Sequence, residues 1–247
     1  MKRPRTIGIV QARLGSTRLP GKVLLKLGKD TVLDILLSRL EESTTIDELA
    51  VATSTNPIDD PLERHTRELG IHCYRGSELD VLDRLFQTSR NLNAEVIVRL
   101  TGDNPLVDLD LLDKQVIHLV EENQDYTSTG GLILGLGSEA VSFNALESAA
   151  NEAKETYQRE HVTPFIYENN ERFKVEILDP PLEFSRNDVR LTIDTEDDFK
   201  LFEHIVGNFG SLVGVSTTSV LRFLDTNPSI RQGNIHVEQK GIREVEE

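Results

Sequence analysis

The chain has 247 residues, 38% of them hydrophobic and 28% charged, which is the composition of a globular protein with a sizeable core rather than of a disordered or fibrous one. No apolar run reaches the ~18 residues of a membrane span, and the apolar stretch 7–10 after the basic start is too short for a secretory signal. A net charge of −15 argues against sequence-independent binding to nucleic acid, and the single cysteine, Cys73, rules out an internal disulfide and points to a reduced, cytoplasmic protein.

In chain order, residues 6–12 read as a buried strand: short, apolar and followed by glycine. A basic loop comes next. Residues 31–40 have helical spacing, 49–53 form a second strand, and 60–69 a helix stopped by Gly70. A short strand at 71–74, a helix at 80–89, a strand at 96–100 and a helix at 111–120 continue the alternation. This βαβαβαβα order predicts an α/β fold with a mostly parallel sheet flanked by helices. From residue 125 the pattern loosens. Residues 127–137 read as a glycine-rich connection, 142–152 and 158–168 as helices, and 173–178 and 189–193 as strands. Residues 195–206 read as a helix entered by Thr195 with Asp198 three residues on, close to a capping box. A last helix is expected at 218–224, and the tail from Asn227 is polar. With no internal repeat or linker, residues 1–247 are read as a single domain.

Ligands of parallel sheets sit beyond the carboxyl ends of the strands, and the chemically loaded residues fall there. Residues 1–29 carry eight basic side chains (Lys2, Arg3, Arg5, Arg13, Arg18, Lys22, Lys26 and Lys29) and no acid, so a local anion site is expected. Within "VQARLGSTRLPGKV" (10–23), Gly15, Ser16 and Gly21 let the backbone bend around an anion, while Arg13, Arg18 and Lys22 supply positive charge. The stretch is not an ATPase P-loop: five residues separate Gly15 from Gly21, and Val23 stands where a hydroxyl would bind magnesium. Three cations match a triphosphate, and its metal must be held elsewhere. Asp103 and Asp194, each after an apolar run, are the candidate Mg2+ ligands.

Other patterns are weaker. Residues 135–140 fit G-x-G-x-x-A but do not open the first βα unit, which argues against a dinucleotide fold. Asp108-Leu109-Asp110 fits the D-x-D of glycosyltransferases but precedes a helix, where acids are favoured by the dipole. His161, in "REHVTP", could orient a substrate or act as a base, or be structural.

The stretch "IVQARLGSTRLPGKVL" resembles the start of the acylneuraminate and deoxy-octulosonate cytidylyltransferases. "VATSTNPIDDP", "RGSELDVLDRL", "VRLTGDNPLVD", "REHVTP" and "LTIDTEDDF" follow in order and are similar to the branch of the spore-coat polysaccharide biosynthesis protein F. The resemblance spans about 6–199. It implies a nucleotide-diphospho-sugar transferase (glycosyltransferase-A-like) fold and a magnesium-dependent transfer of CMP from CTP to a sugar acid or similar acceptor, with release of pyrophosphate, in surface polysaccharide biosynthesis. By the same resemblance Ala12, Arg13, Gly15, Ser16, Arg18 and Lys22 would hold the triphosphate. Thr53, Ser54, Arg75, Ser77 and Arg84 would frame the cytidine, and Asp103 and Asp194 would bind Mg2+. Glu139 and His161 would face the acceptor, with residues 1–124 as the nucleotide-binding half and 125–247 as the half for acceptor and homodimer contacts. That branch usually reads "GLDVE" where this chain has Gly135-Leu136-Gly137-Ser138-Glu139, so an acid is missing at Gly137 on the acceptor side. The alternatives are a glycosyltransferase with a nucleotide-sugar donor, and a nucleotide-binding homologue without turnover.

Overall fold

The computed structural model describes residues 3–239, 241 and 243; Lys2, counted above in the basic segment, lies outside them. The strands are β1 (Thr6–Gln11), β2 (Lys26–Leu27), β3 (Asp30–Thr31), β4 (Glu48–Ser54), β5 (His72–Gly76), β6 (Val96–Thr101), β7 (Tyr126–Thr129), β8 (Glu139–Ser142) and β9 (Val175–Leu178). Seven of them form one sheet in the order β5-β4-β1-β6-β8-β7-β9. The β5, β4, β1 and β6 strands are parallel, β8 runs antiparallel to both β6 and β7, and β7 is parallel to β9. The parallel half is apolar because helices cover both of its faces: Ile7, Ile9 and Val10 are fully buried.

Helices α1 (Val32–Leu40), α2 (Asp60–Glu68) and α4 (Leu109–Glu121) pack on one face, through Leu33, Leu36, Leu62, Leu112 and Val116. Helices α3 (Val81–Asn91), α5 (Phe143–Glu152), α6 (Thr156–His161) and α7 (Pro164–Tyr167) lie on the other, where Leu82, Leu85, Ala145 and Ile166 share a cluster with Ile7, Ile9 and Ile97. A third cluster joins α8 (Glu196–Phe209) and α9 (Thr217–Thr226) to Leu136, Leu191 and Ile193. Thr31 and Asp34 form a full capping box on α1, and Thr195 and Asp198 form the one expected on α8.

Three expectations for the second half are corrected. Residues 189–193 are extended but do not join the sheet. They hold one isolated bridge, Leu134 to Arg190, and lean on other loops: Leu191 N–H donates to Leu134 O (2.8 Å) and Ile193 N–H to Asp103 O (2.9 Å). Gly135, at φ 102°, permits that approach, since a Cβ there would stand 1.9 Å from Leu191 O. The expected helix 158–168 is broken into α6 and α7. Val162 between them is buried at φ 72°, and Pro164 cannot continue the hydrogen-bond ladder. The connection 127–137 and the start of the next helix hide β7 and β8, four-residue strands too short to show a period. The polar tail also has structure: α10 (Pro228–Arg231) leads into a 3-10 turn, Gln232–Asn234, whose Asn234 is fully buried.

Candidate active site

The basic loop leaves the carboxyl end of β1 at the centre of the parallel strands. Gly21, at φ 70°, turns the chain so that its N–H donates to Leu14 O (2.9 Å), which closes the loop. Leu14 N–H is in turn held by Oδ1 of buried Asp59 (2.7 Å), whose Oδ2 accepts from the Ser54 hydroxyl and N–H. The Ser54 hydroxyl thus braces the loop from β4. Lys22 opens the 3-10 turn Lys22–Leu24 and is 9% exposed.

From there its Nζ donates to Asp103 Oδ2 (2.7 Å) and Asp194 Oδ1 (2.8 Å). Arg18 reaches the same Oδ1 at 3.0 Å, and Arg190 donates to Asp194 Oδ2 at 2.7 Å. Both oxygens of Asp194 therefore face cations. Burial alone would push the Lys22 ammonium down, but Asp103 and Asp194 outweigh it and raise its pKa above the ordinary lysine value. Asp194 is the mirror case: burial raises it, but Lys22, Arg18 and Arg190 hold it below the usual carboxylate range. Two carboxylates within reach of one ammonium suit a hard divalent cation that takes its remaining ligands from phosphate and water. No cluster of three or more metal-ligating side chains exists among the described residues.

The other predicted residues surround this centre in two groups. On the β4–β5 side, Arg13 lies 3.5 Å from Glu78, and Ala12 N–H is bonded to Ala52 O (3.2 Å). Gly15 is next to Glu78, where an added Cβ would stand 3.6 Å from Oε1, and the Ser16 hydroxyl accepts from Leu19 N–H (3.4 Å). Thr53 is fully buried, and its hydroxyl has no hydrogen-bond partner among the described residues. Arg84 is 2% exposed, and its Nε and Nη1 likewise reach no hydrogen-bond partner. Burial first and the nearby Arg13 second depress the Arg84 guanidinium pKa. Arg75 is fully engaged: Nε donates to Ser54 O (2.8 Å), Nη1 pairs with Asp60 and Glu63, and Nη2 donates to Asn56 O (2.9 Å). Ser77 Oγ accepts from Asp80 N–H (3.2 Å).

On the β8 side, Glu139 accepts from Arg99 (2.5 Å), the Tyr126 hydroxyl (2.6 Å) and the Thr163 hydroxyl (3.0 Å), and Arg99 Nε also donates to Gln11 Oε1 (3.0 Å). Half-buried His161 ends α6 two residues before Thr163. Of the weaker patterns, Asp108 caps α4 through Leu111 N–H (3.1 Å) and accepts from Thr217 (2.5 Å), so it has no oxygen facing the site. Arg190, Arg99 and Gln11 escape a sequence reading. The one available signal was an arginine inside each apolar run, "VIVRL" and "VRLTI".

A cationic loop set against two carboxylates at the carboxyl edge of such a sheet marks the molecule as a nucleotidyltransferase. A solved cytidylyltransferase from Leptospira borgpetersenii superposes with a TM-score of 0.85 at 32% identity, covering 93% of this chain and 97% of that one. An uncharacterized protein of Methanocaldococcus jannaschii is 51% identical over 98% of this chain and 100% of its own length. The spore coat polysaccharide biosynthesis protein SpsF of Bacillus subtilis is 39% identical over 89% and 94%. The cytidylyltransferase family model matches residues 7–242, and the chain belongs to that family of CTP-dependent nucleotidyltransferases.

Proposed function

We propose that this protein transfers CMP from CTP to a sugar acid or similar sugar-like acceptor, with magnesium, in the synthesis of a surface polysaccharide. The observation that carries this reading is the convergence of Lys22 and Arg18 on Asp103 and Asp194. That convergence supports a triphosphate cradle and a divalent-metal site side by side, within one ammonium's reach. Asp103 and Asp194 would hold magnesium, which when bound neutralises charge on the phosphate oxygens.

An acceptor oxygen attacks the α-phosphorus, a hydroxyl acceptor giving up its proton to water, the bond from that phosphorus to the bridging oxygen breaks, and pyrophosphate leaves with the electron pair. The chain's part is positioning and charge. Lys22, Arg18 and Arg13 attract and orient the triphosphate. Arg84, with two buried donors to spare, suits an acceptor atom of the nucleotide. The Glu139–Arg99–Tyr126–Thr163 cluster flanks β1 and β6 opposite the Arg84 side and supplies the polar wall for the acceptor, with His161 beside it. Residues 125–247 would carry this wall apart from Arg99, together with the homodimer contact.

The test is pyrophosphate release from CTP and Mg2+ across a panel of sugar acids and sugar phosphates, with loss of at least about 100-fold in Asp103→Ala. No turnover with any member of a broad panel would count against the reading. A glycosyltransferase reading finds no support in the D-x-D stretch, because Asp108 is consumed as a helix cap.

A further inference from the structure

We infer that Asn234, in the turn after α10, is a positioning residue for the metal site, acting through Asp198 and Arg190 on Asp194. The inference rests on the function proposed above. Asp194 sits on an extended segment outside the sheet, so no strand ladder fixes its carboxylate. A relay of buried polar groups does so instead. Arg190, 5% exposed, directs Nη2 to Asp194 Oδ2 (2.7 Å) and Nε to Asp198 Oδ1 (2.9 Å). Asp198 is fully buried, and its Oδ2 accepts from the N–H groups of Asp194 (3.0 Å) and Thr195 (2.9 Å).

Asn234 closes the relay from the far end of the chain. Its Nδ2 donates to Asp198 Oδ1 (2.8 Å) and to Arg190 O (3.1 Å), so one amide ties together the side chain and the backbone that aim the arginine. Gln239 Oε1 accepts from the remaining Arg190 nitrogen, Nη1, at 3.0 Å. The turn carrying Asn234 also packs on α8. Partners one step behind a ligand fix its orientation, and their loss costs about 10- to 100-fold in metal affinity or activity. Without Asn234, Asp198 Oδ1 keeps only Arg190, and the guanidinium is free to turn both contacts toward Asp198. The Asp194 carboxylate then loses the partner that holds Oδ2 and leaves Oδ1 facing Lys22 and Arg18.

The test compares the full chain with Asn234→Ala, Gln239→Ala and, as a control on the same turn, Gln232→Ala, whose side chain is exposed. Mn2+ is titrated at fixed CTP and followed by the thermal midpoint, alongside pyrophosphate release. For Asn234→Ala the half-saturating Mn2+ should rise about 10-fold, while CTP binding measured without metal changes less than about twofold, since its cradle is untouched. Gln239→Ala should raise it about two- to threefold by the loss of a single contact from an exposed side chain, and Gln232→Ala should leave it unchanged. A folded Asn234→Ala with unchanged half-saturation overturns the inference. If that variant does not fold, an unshifted Gln239→Ala overturns it. Unaltered protein that gives no Mn2+ response would overturn the proposed function and this inference together, whereas a response shared by all variants would overturn the inference alone.

Discussion

The Lys22 ammonium is shared between Asp103 and Asp194, at 2.7 and 2.8 Å, with each of the three side chains less than a quarter exposed. The pair of carboxylates is thereby neutralised from inside the protein, and a metal entering between them would compete with the lysine.

Lys22→Met should therefore have two opposite signatures. Pyrophosphate release should fall about 100- to 1,000-fold, as when one donor to developing charge is removed. The ligand-free protein should lose about 1–3 kcal/mol, because Asp103 is left without its cation while Asp194 keeps Arg18 and Arg190. Added Mg2+ should recover most of that stability, read as a thermal midpoint with and without the ion. A variant as stable as the parent and indifferent to Mg2+ would show that the lysine does not neutralise the pair.

Arg84 carries buried donors with no acceptor, a cost of about 1–3 kcal/mol in the free protein. Arg84→Met, similar in reach but uncharged, should raise the ligand-free thermal midpoint by a few degrees while weakening CTP binding about 10-fold. Equal loss of stability and binding would place Arg84 in the scaffold instead.

Glu139 is the hub of the polar wall on the β8 side. In Glu139→Gln the acceptor half-saturation should rise about 10-fold, with CTP half-saturation moving less than about twofold, the pattern of an interaction made with one substrate only. A larger effect on CTP than on the acceptor would move this cluster to the nucleotide.

Asp113 ties α4 to the loop after α1 by accepting from Ser43 (2.6 Å), Thr44 (N–H 2.9 Å, hydroxyl 2.6 Å) and Thr45 (2.6 Å). Burial raises its pKa, but these donors together lower it below the ordinary 3.8. A carboxylate depressed by folding stabilises fully above its unfolded pKa, and the contribution is lost as pH falls through the folded value. Asp113→Asn should thus cost about 1 kcal/mol at neutral pH, kept small by partial exposure. The difference from the parent should shrink below pH 3.8. A gap that persists in acid would assign the cost to packing.

The parallel half of the fold was legible because each of its elements is long enough to display its own period. Residues 6–12 and 96–100 are mostly apolar runs ending in polar, glycine-containing loops, and they became β1 and β6 with boundaries shifted by one residue. The second half was not, because β7 and β8 are four-residue strands that exist only by pairing with β6 and β9. Asp194 was noticed for a reason the structure corrects. The apolar run before it is no sheet strand but a segment wedged against Gly135, and its apolar residues serve the α8–α9 core.

The sequence by itself determined the chemical inventory at the strand ends: a bent cationic loop, two candidate acids and the alternation that sets them along one sheet edge. Those follow from local periodicity and from glycine's freedom to turn. Only the tertiary structure decided which cation meets which carboxylate. Lys22 lies 81 residues from Asp103 and 172 from Asp194, and no local rule spans such distances. Likewise Asn234 has polar side-chain contacts only after α8 and the 189–193 segment are packed, so a residue that read as polar tail becomes part of the interior.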